Sequence, residues 1–75
     1  MSRAIPDDYE GRYRHYKGGL YRVIGYALHS ETHEPMIIYV SEGSEVRVWV
    51  RPADMFFETV TIDGRDQPRF RRLGT

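Results

Sequence analysis

Two short polar motifs, one tryptophan and a basic end carry whatever chemistry this chain can perform. The first motif is His15-Tyr16-Lys17, followed by Gly18-Gly19. An imidazole and an ammonium beside the amides of a glycine turn would make an anion site. Simple exposed hairpin charges, with His15 half-buried against Tyr13, are the alternative. The glycines lack the spacing of a phosphate-binding loop. The second motif is His29-Ser30-Glu31-Thr32. Its hydroxyls and carboxylate suit a loop that grips a sugar or base by hydrogen bonds. They also suit hydrolysis, with Ser30 or Thr32 as nucleophile and His29 or His15 as base. A third reading is purely local: the hydroxyls bond nearby amides and fix the turn. Catalysis further requires an oriented base and an oxyanion hole, and no pattern here announces either.

The remaining candidate is Trp49 between Arg47 and Arg51, with Tyr39 nearby. Such a face can stack a base or hold a cation. Equally, the two arginines can lie over the indole and cover it. Arg69, Arg71 and Arg72 add a basic end that either solubilises the chain or contributes to anion binding. A metal site at His29, His33 and Glu31 or Glu34 is disfavoured. Histidines four apart converge on a helix, and this stretch is too short and too near Pro35 to form one.

These groups need elements to position them. Val46–Arg51 alternates strictly, which predicts a strand with Val46, Val48 and Val50 on one face and Arg47, Trp49 and Arg51 on the other. A valine row suits a core, so the indole face is expected outside. Pro52 ends the ladder. Residues 12–16 form a short strand, with Tyr13 and His15 on one face. Lys17-Gly18-Gly19 turns the chain. Residues 20–29 form the longest strand, apolar on both faces, with a bend or bulge at Gly25. Residues 36–41 pair with the central strand through Glu42-Gly43-Ser44. Ala53-Asp54-Met55 has room for a single turn. Residues 56–62 form a last long strand, Asp63-Gly64 a tight turn, and residues 68–73 a closing strand with Phe70 inward and Arg69 and Arg71 outward. Residues 1–4 and 74–75 should be loose. Pro6, Asp7, Asp8 and Gly11 suit one helical turn over residues 5–11.

The pattern predicts an all-β fold: a five- to six-stranded antiparallel SH3-like barrel with a short N-terminal helical turn. Residues 1–10 are the arm and residues 11–73 the single domain. A flat three-stranded sheet with a separate hairpin is the alternative. Seventy-five residues allow one marginal core, and the absence of cysteine removes disulfides. Six of the ten aromatic residues are tyrosines, which can cover a core while keeping the hydroxyl wet. Net charge is zero, unlike a dedicated nucleic-acid binder. The acids Glu31, Glu34, Glu42 and Glu45 cluster centrally, however, with basic residues before and after them. No signal-peptide pattern and no spanning apolar run occur, so a soluble cytoplasmic protein is expected.

Tyr13-Arg14-His15-Tyr16-Lys17-Gly18, His29-Ser30-Glu31-Thr32, Trp49-Val50-Arg51-Pro52 and Pro68-Arg69-Phe70 occur in that order. Together they resemble the signature of the bacterial family called domain of unknown function 1653, from about Gly11 to Leu73. The resemblance implies a small, mostly β, stand-alone domain and does not point to any particular activity. This chain has His33 where the family pattern carries an apolar residue.

The leading functional reading is a non-catalytic binding module without cofactor or metal. A concave face of His15, Tyr16, Lys17, Tyr39, Trp49, Arg51, Arg69 and the His29–Thr32 loop would take an anionic or aromatic ligand: a nucleotide, short nucleic acid or acidic peptide. A small hydrolase or transferase using His29-Ser30-Glu31-Thr32 with His15 is the second reading. A structural domain that docks through a strand edge is the third. The expected partners are a small anionic ligand, nucleic acid or protein, with no membrane, and the expected state is a monomer or weak dimer.

Overall fold

The computed structural model describes residues 5–43 and 45–75. Residues 1–4, expected to be loose, and Ser44 of the expected turn lie outside the described residues. The elements are β1 (Gly11–His15), β2 (Leu20–Leu28), β3 (Pro35–Ser41), β4 (Val48–Pro52), α1 (Ala53–Phe56), β5 (Thr59–Ile62), β6 (Arg65–Pro68) and β7 (Phe70–Gly74). Five strands form one antiparallel sheet in the order β4-β3-β2-β1-β7, and β5 pairs only with β6. The all-β class therefore holds, but the barrel does not close. The five to six strands of an SH3-like barrel are replaced, among the described residues, by an open sheet plus a hairpin. The single turn of α1 leads the chain off β4, and β7 returns to β1, so the two sheet edges never meet.

Chain geometry at the turns explains the local structure. Asp63 and Gly64 both have positive φ, 52° and 76°, as a two-residue hairpin turn of matching twist requires. That turn generates β6, a strand absent from the sequence expectation. The expected strand over residues 56–62 is shortened at its start, because Phe56 is the last residue of α1. The β2–β3 register slips between Val23 and Gly25. Val23 opposes Tyr39 before the slip, and Tyr26 opposes Ile37 after it. The row on the core side of the sheet thus changes from odd to even numbers, although Tyr26 and Leu28 stay 52% and 59% exposed, which accounts for a strand apolar on both faces.

The core consists of Tyr13, Val23, Ile37, Tyr39, Ala53, Phe56 and Phe70. Phe56 and Phe70 stack at 4.1 Å and 5°, and Tyr13 and Tyr39 meet Phe56 edge-on at 5.3 Å. Aromatic rings in these offset and edge contacts replace the aliphatic bulk a chain this short lacks.

Three expectations are corrected. The face assignment of β4 is reversed. Trp49 and Arg51 oppose Tyr39 and Ile37, so they share the core side of the sheet. Val46, Val48 and Val50 are 71%, 64% and 59% exposed. Alternation fixes which residues share a face, but the neighbouring strand decides which face is buried, and in β3 the buried row is Ile37 and Tyr39. At the N-terminus, residues 5–11 form no helical turn. Tyr9 N–H closes a single tight turn onto the Pro6 carbonyl at 3.2 Å, and Gly11 is already in β1. Ile5 and Tyr9 still pack against the core, and the Tyr9 carbonyl accepts the Tyr13 hydroxyl at 2.8 Å. At the C-terminus, Gly74 does not fray: it pairs with Arg12 at the end of β7.

Candidate anion-binding site

His15 ends β1 directly opposite Phe70. Its ring meets Phe70 edge-on at 4.9 Å and lies 4.5 Å from the Tyr16 ring. The turn behind it is closed by its own atoms. Gly18 N–H donates to the His15 carbonyl at 2.7 Å, and Lys17 N–H donates to its Nδ1 at 3.1 Å. The Gly18 amide expected to line an anion nest is therefore spent on the turn. An accepting Nδ1 places the proton of the neutral ring on Nε2.

Arg51 reaches the same region from β4. Its Nε donates to the Tyr39 hydroxyl at 3.3 Å, and its guanidinium lies 5.9 Å from the Phe70 ring centre. Arg69 comes from the link between β6 and β7. Its N–H donates to the Glu58 carbonyl and its carbonyl accepts Tyr16 N–H, each at 2.9 Å, so it joins the hairpin to the sheet. Its guanidinium pairs with the Glu58 carboxylate. The expected outward placement of Arg69 is thereby corrected, whereas Arg71 is exposed. The buried Arg69 Nε–H has no hydrogen-bond partner among the described residues, which leaves a donor with unspent capacity.

These groups set the electrostatics of His15. Burial, then Arg51, Arg69 and Lys17, hold its pKa below the ordinary value of 6.5. The imidazole is consequently neutral at pH 7. Lys17 also lies 5.8 Å from the Tyr16 ring centre. Trp49 sits beside Tyr39 at the sheet edge and is 45% exposed. Neither flanking arginine covers the indole: Arg51 lies over Phe70, and Arg47 bonds Glu45 at 3.1 Å. His15, Tyr39 and Arg51 thus meet at Phe70, beside Arg69, while Tyr16 and Lys17 join through the His15 ring and Trp49 lies at the margin.

The His29–Thr32 loop does not join them. It leaves the far end of β2 from the His15 turn. His29 Nδ1 accepts the amides of Glu31 at 3.1 Å and Thr32 at 3.4 Å, and Thr32 Oγ1 accepts Glu34 N–H at 3.2 Å. The loop closes on itself through His33 N–H to the His29 carbonyl and His29 N–H to the Glu34 carbonyl, both 2.8 Å. The motif is a backbone clasp. The nitrogen that a base beside Ser30 would use is occupied by two amides, and His15 stands at the other end of the strand. Among the described residues no group of three His, Cys, Asp or Glu side chains is placed to hold a metal ion.

Basic residues from the two ends of the sequence do meet, on the other face of the sheet. Arg12 opposes Arg22, and Arg14 opposes Arg71. Arg12 is held by both oxygens of Glu42 at 3.0 Å, and that bond keeps the Glu42 carboxyl below its ordinary pKa. Glu58 is the site residue whose role the sequence reading missed. Its position was readable, since residues 58 and 69 are equidistant from the Asp63-Gly64 turn and must face each other across the hairpin.

Fold and site together define a small antiparallel β domain whose inner face carries cations among aromatic rings. No helix among the described residues is long and apolar enough to cross a membrane. The chain belongs to the DUF1653 family, described as a protein of unknown function, whose model matches residues 11–72. It is also similar to the crystal structure of a DUF1653 protein from Bordetella bronchiseptica. The TM-score is 0.84 at 34% identity, over 95% of this chain and 94% of that one. No functionally curated protein matches.

Proposed function

We propose that this domain is a non-catalytic binding module whose inner face takes a phosphate-bearing ligand, a nucleotide or a short nucleic acid. The supporting observation is the convergence on His15 of Arg51, Arg69 and Lys17, three cations drawn from three separate parts of the chain. Among the described residues, the one ion pair in this cluster is Arg69–Glu58. Phosphate oxygens would accept from Arg51, Lys17 and the His15 Nε2–H as charge-assisted bonds. Trp49 supplies an exposed ring on the same side for a base to stack on. The reading keeps the protein in the cytoplasm, where such ligands are available.

Titration of nitrogen-15-labelled protein with a nucleoside monophosphate and with a short RNA tests this. The expected result is movement of the Lys17 amide and the Trp49 indole, and none in residues 29–34. Arg51→Ala should weaken binding about tenfold, the scale of one lost charge-assisted bond. Shifts confined to residues 29–34, or none with either ligand, contradict the proposal.

A further inference from the structure

β4 lies at the end of the sheet and is hydrogen-bonded only to β3. Ser41 N–H donates to the Arg47 carbonyl at 3.0 Å. By antiparallel alternation, Arg47, Trp49 and Arg51 turn their backbone groups to β3. Val46, Val48 and Val50 turn theirs to the free edge. The side chains of the same three valines are exposed. The opposite edge differs: β7 carries Arg71 and Arg72, charges of the kind that keep an edge from pairing. In β4 the one charged residue, Arg51, is next to last, and the proline is the last residue.

We propose that β4 pairs antiparallel with the same strand of a second copy of this chain, in the register that sets Val48 against the partner's Val48. The charges favour a second copy as the occupant, and charge and backbone together select the register. Opposed residues must share a face, so the pairing can be centred only on a residue, never between two. Centred on Trp49, it sets Arg47 against the partner's Arg51. Centred on Arg47, it sets that cation against its own copy. Both arrangements oppose like charges at close range. Centred on Val50, it sets Val48 against the partner's Pro52, which has no N–H to return to the ladder. Centred on Val46, the seam lies before the start of β4. Centred on Val48, it brings Glu45 to the partner's Arg51, Arg47 to the partner's Trp49, and Val46 to the partner's Val50. An acid then meets a guanidinium, a guanidinium meets an indole, and valine meets valine. The Glu45 side chain gives up its exposed bond to Arg47, which is worth little, while its carbonyl already accepts the Ser41 hydroxyl of β3 at 3.1 Å. Residues 45–47 are drawn into the ladder, and the inner faces of the two copies become continuous. The contact is smaller than a permanent interface, so association is weak.

Sedimentation equilibrium of the full chain from micromolar to millimolar concentration tests this. The expected mass rises reversibly from monomer towards dimer. Val48→Lys sets two ammonium groups against each other and should weaken association about tenfold or more. Glu45→Arg, which opposes a cation to the partner's Arg51, should weaken it similarly. Both positions are exposed, so the monomer keeps its circular dichroism. A monomer at all concentrations overturns the proposal, as does association unchanged by Val48→Lys. Association unchanged by Glu45→Arg overturns the register. Sedimentation is read without ligand, and neither varied residue belongs to the anion site. The nucleotide titration is run at monomer concentrations, because the seam engages Arg51 and Trp49. Failure of one reading is therefore distinguishable from failure of the other.

Discussion

Phe56→Ala is expected to lower stability by about 3–5 kcal/mol, the usual cost of deleting a fully enclosed ring. Phe56 has no exposed surface and touches Tyr13, Tyr39, Phe57 and Phe70. Its removal empties the place where α1, β1, β3 and β7 meet, and the surrounding rings are too rigid to refill it. A domain of this length has roughly 4–11 kcal/mol in total, so the variant retains little reserve. Urea denaturation followed by circular dichroism should show the midpoint falling with the slope unchanged. The melting temperature should drop by at least about 12 °C. A loss under about 1 kcal/mol would mean that the aromatic cluster is not the stabilising centre.

Gly11→Ala is expected to cost about 3 kcal/mol through a different cause. Gly11 has φ +130°, and an added Cβ would stand 2.4 Å from the Gly74 carbonyl oxygen. Both obstacles are backbone, so no rotamer change relieves them. β1 and the end of β7 must separate, which hydrogen exchange should report as lost protection at the amides paired there. Gly25→Ala is the control. An added Cβ at Gly25 meets nothing within 4 Å, and the change should stay within about 0.5 kcal/mol. A tolerated Gly11→Ala would show that the β1–β7 pairing does not hold the sheet together.

These two positions mark what the sequence made legible and what it did not. The turns at Gly18 and at Asp63-Gly64 were readable because few residues accept positive φ. The slip at Gly25 was readable because apolar residues on both faces of one strand need a change of parity. Gly11 was read as the stop of a helical turn, although its real constraint is the approach of a residue 63 positions later. Local pattern carries no information about such a contact. The inversion of β4 has the same origin: alternation pairs Trp49 with Arg51, but Tyr39 and Ile37 on the next strand draw that row inward. The cluster of Arg51, Arg69 and His15 was named residue by residue, yet its separation from His29–Thr32 follows from the nine-residue length of β2. Sequence motifs gave the two groups equal weight, while geometry makes one a loop clasp and the other a gathering of cations beside aromatic rings.

The proposed anion site can be tested at a single residue. The folded pKa of His15 lies below its ordinary 6.5 because of burial and the cations around it. The unfolded chain therefore binds more protons between the two values, so stability should fall as pH falls below about 6.5 and level off below the folded pKa. A phosphate placed among Arg51, Arg69 and Lys17 offsets those cations, so it must raise the His15 pKa on binding. The decisive measurement is an NMR titration of the His15 ring against pH, with and without the nucleoside monophosphate. The predicted result is a midpoint below 6.5 in the free protein that moves upward with ligand. A His15 that titrates at its ordinary value and ignores the nucleotide would contradict the site.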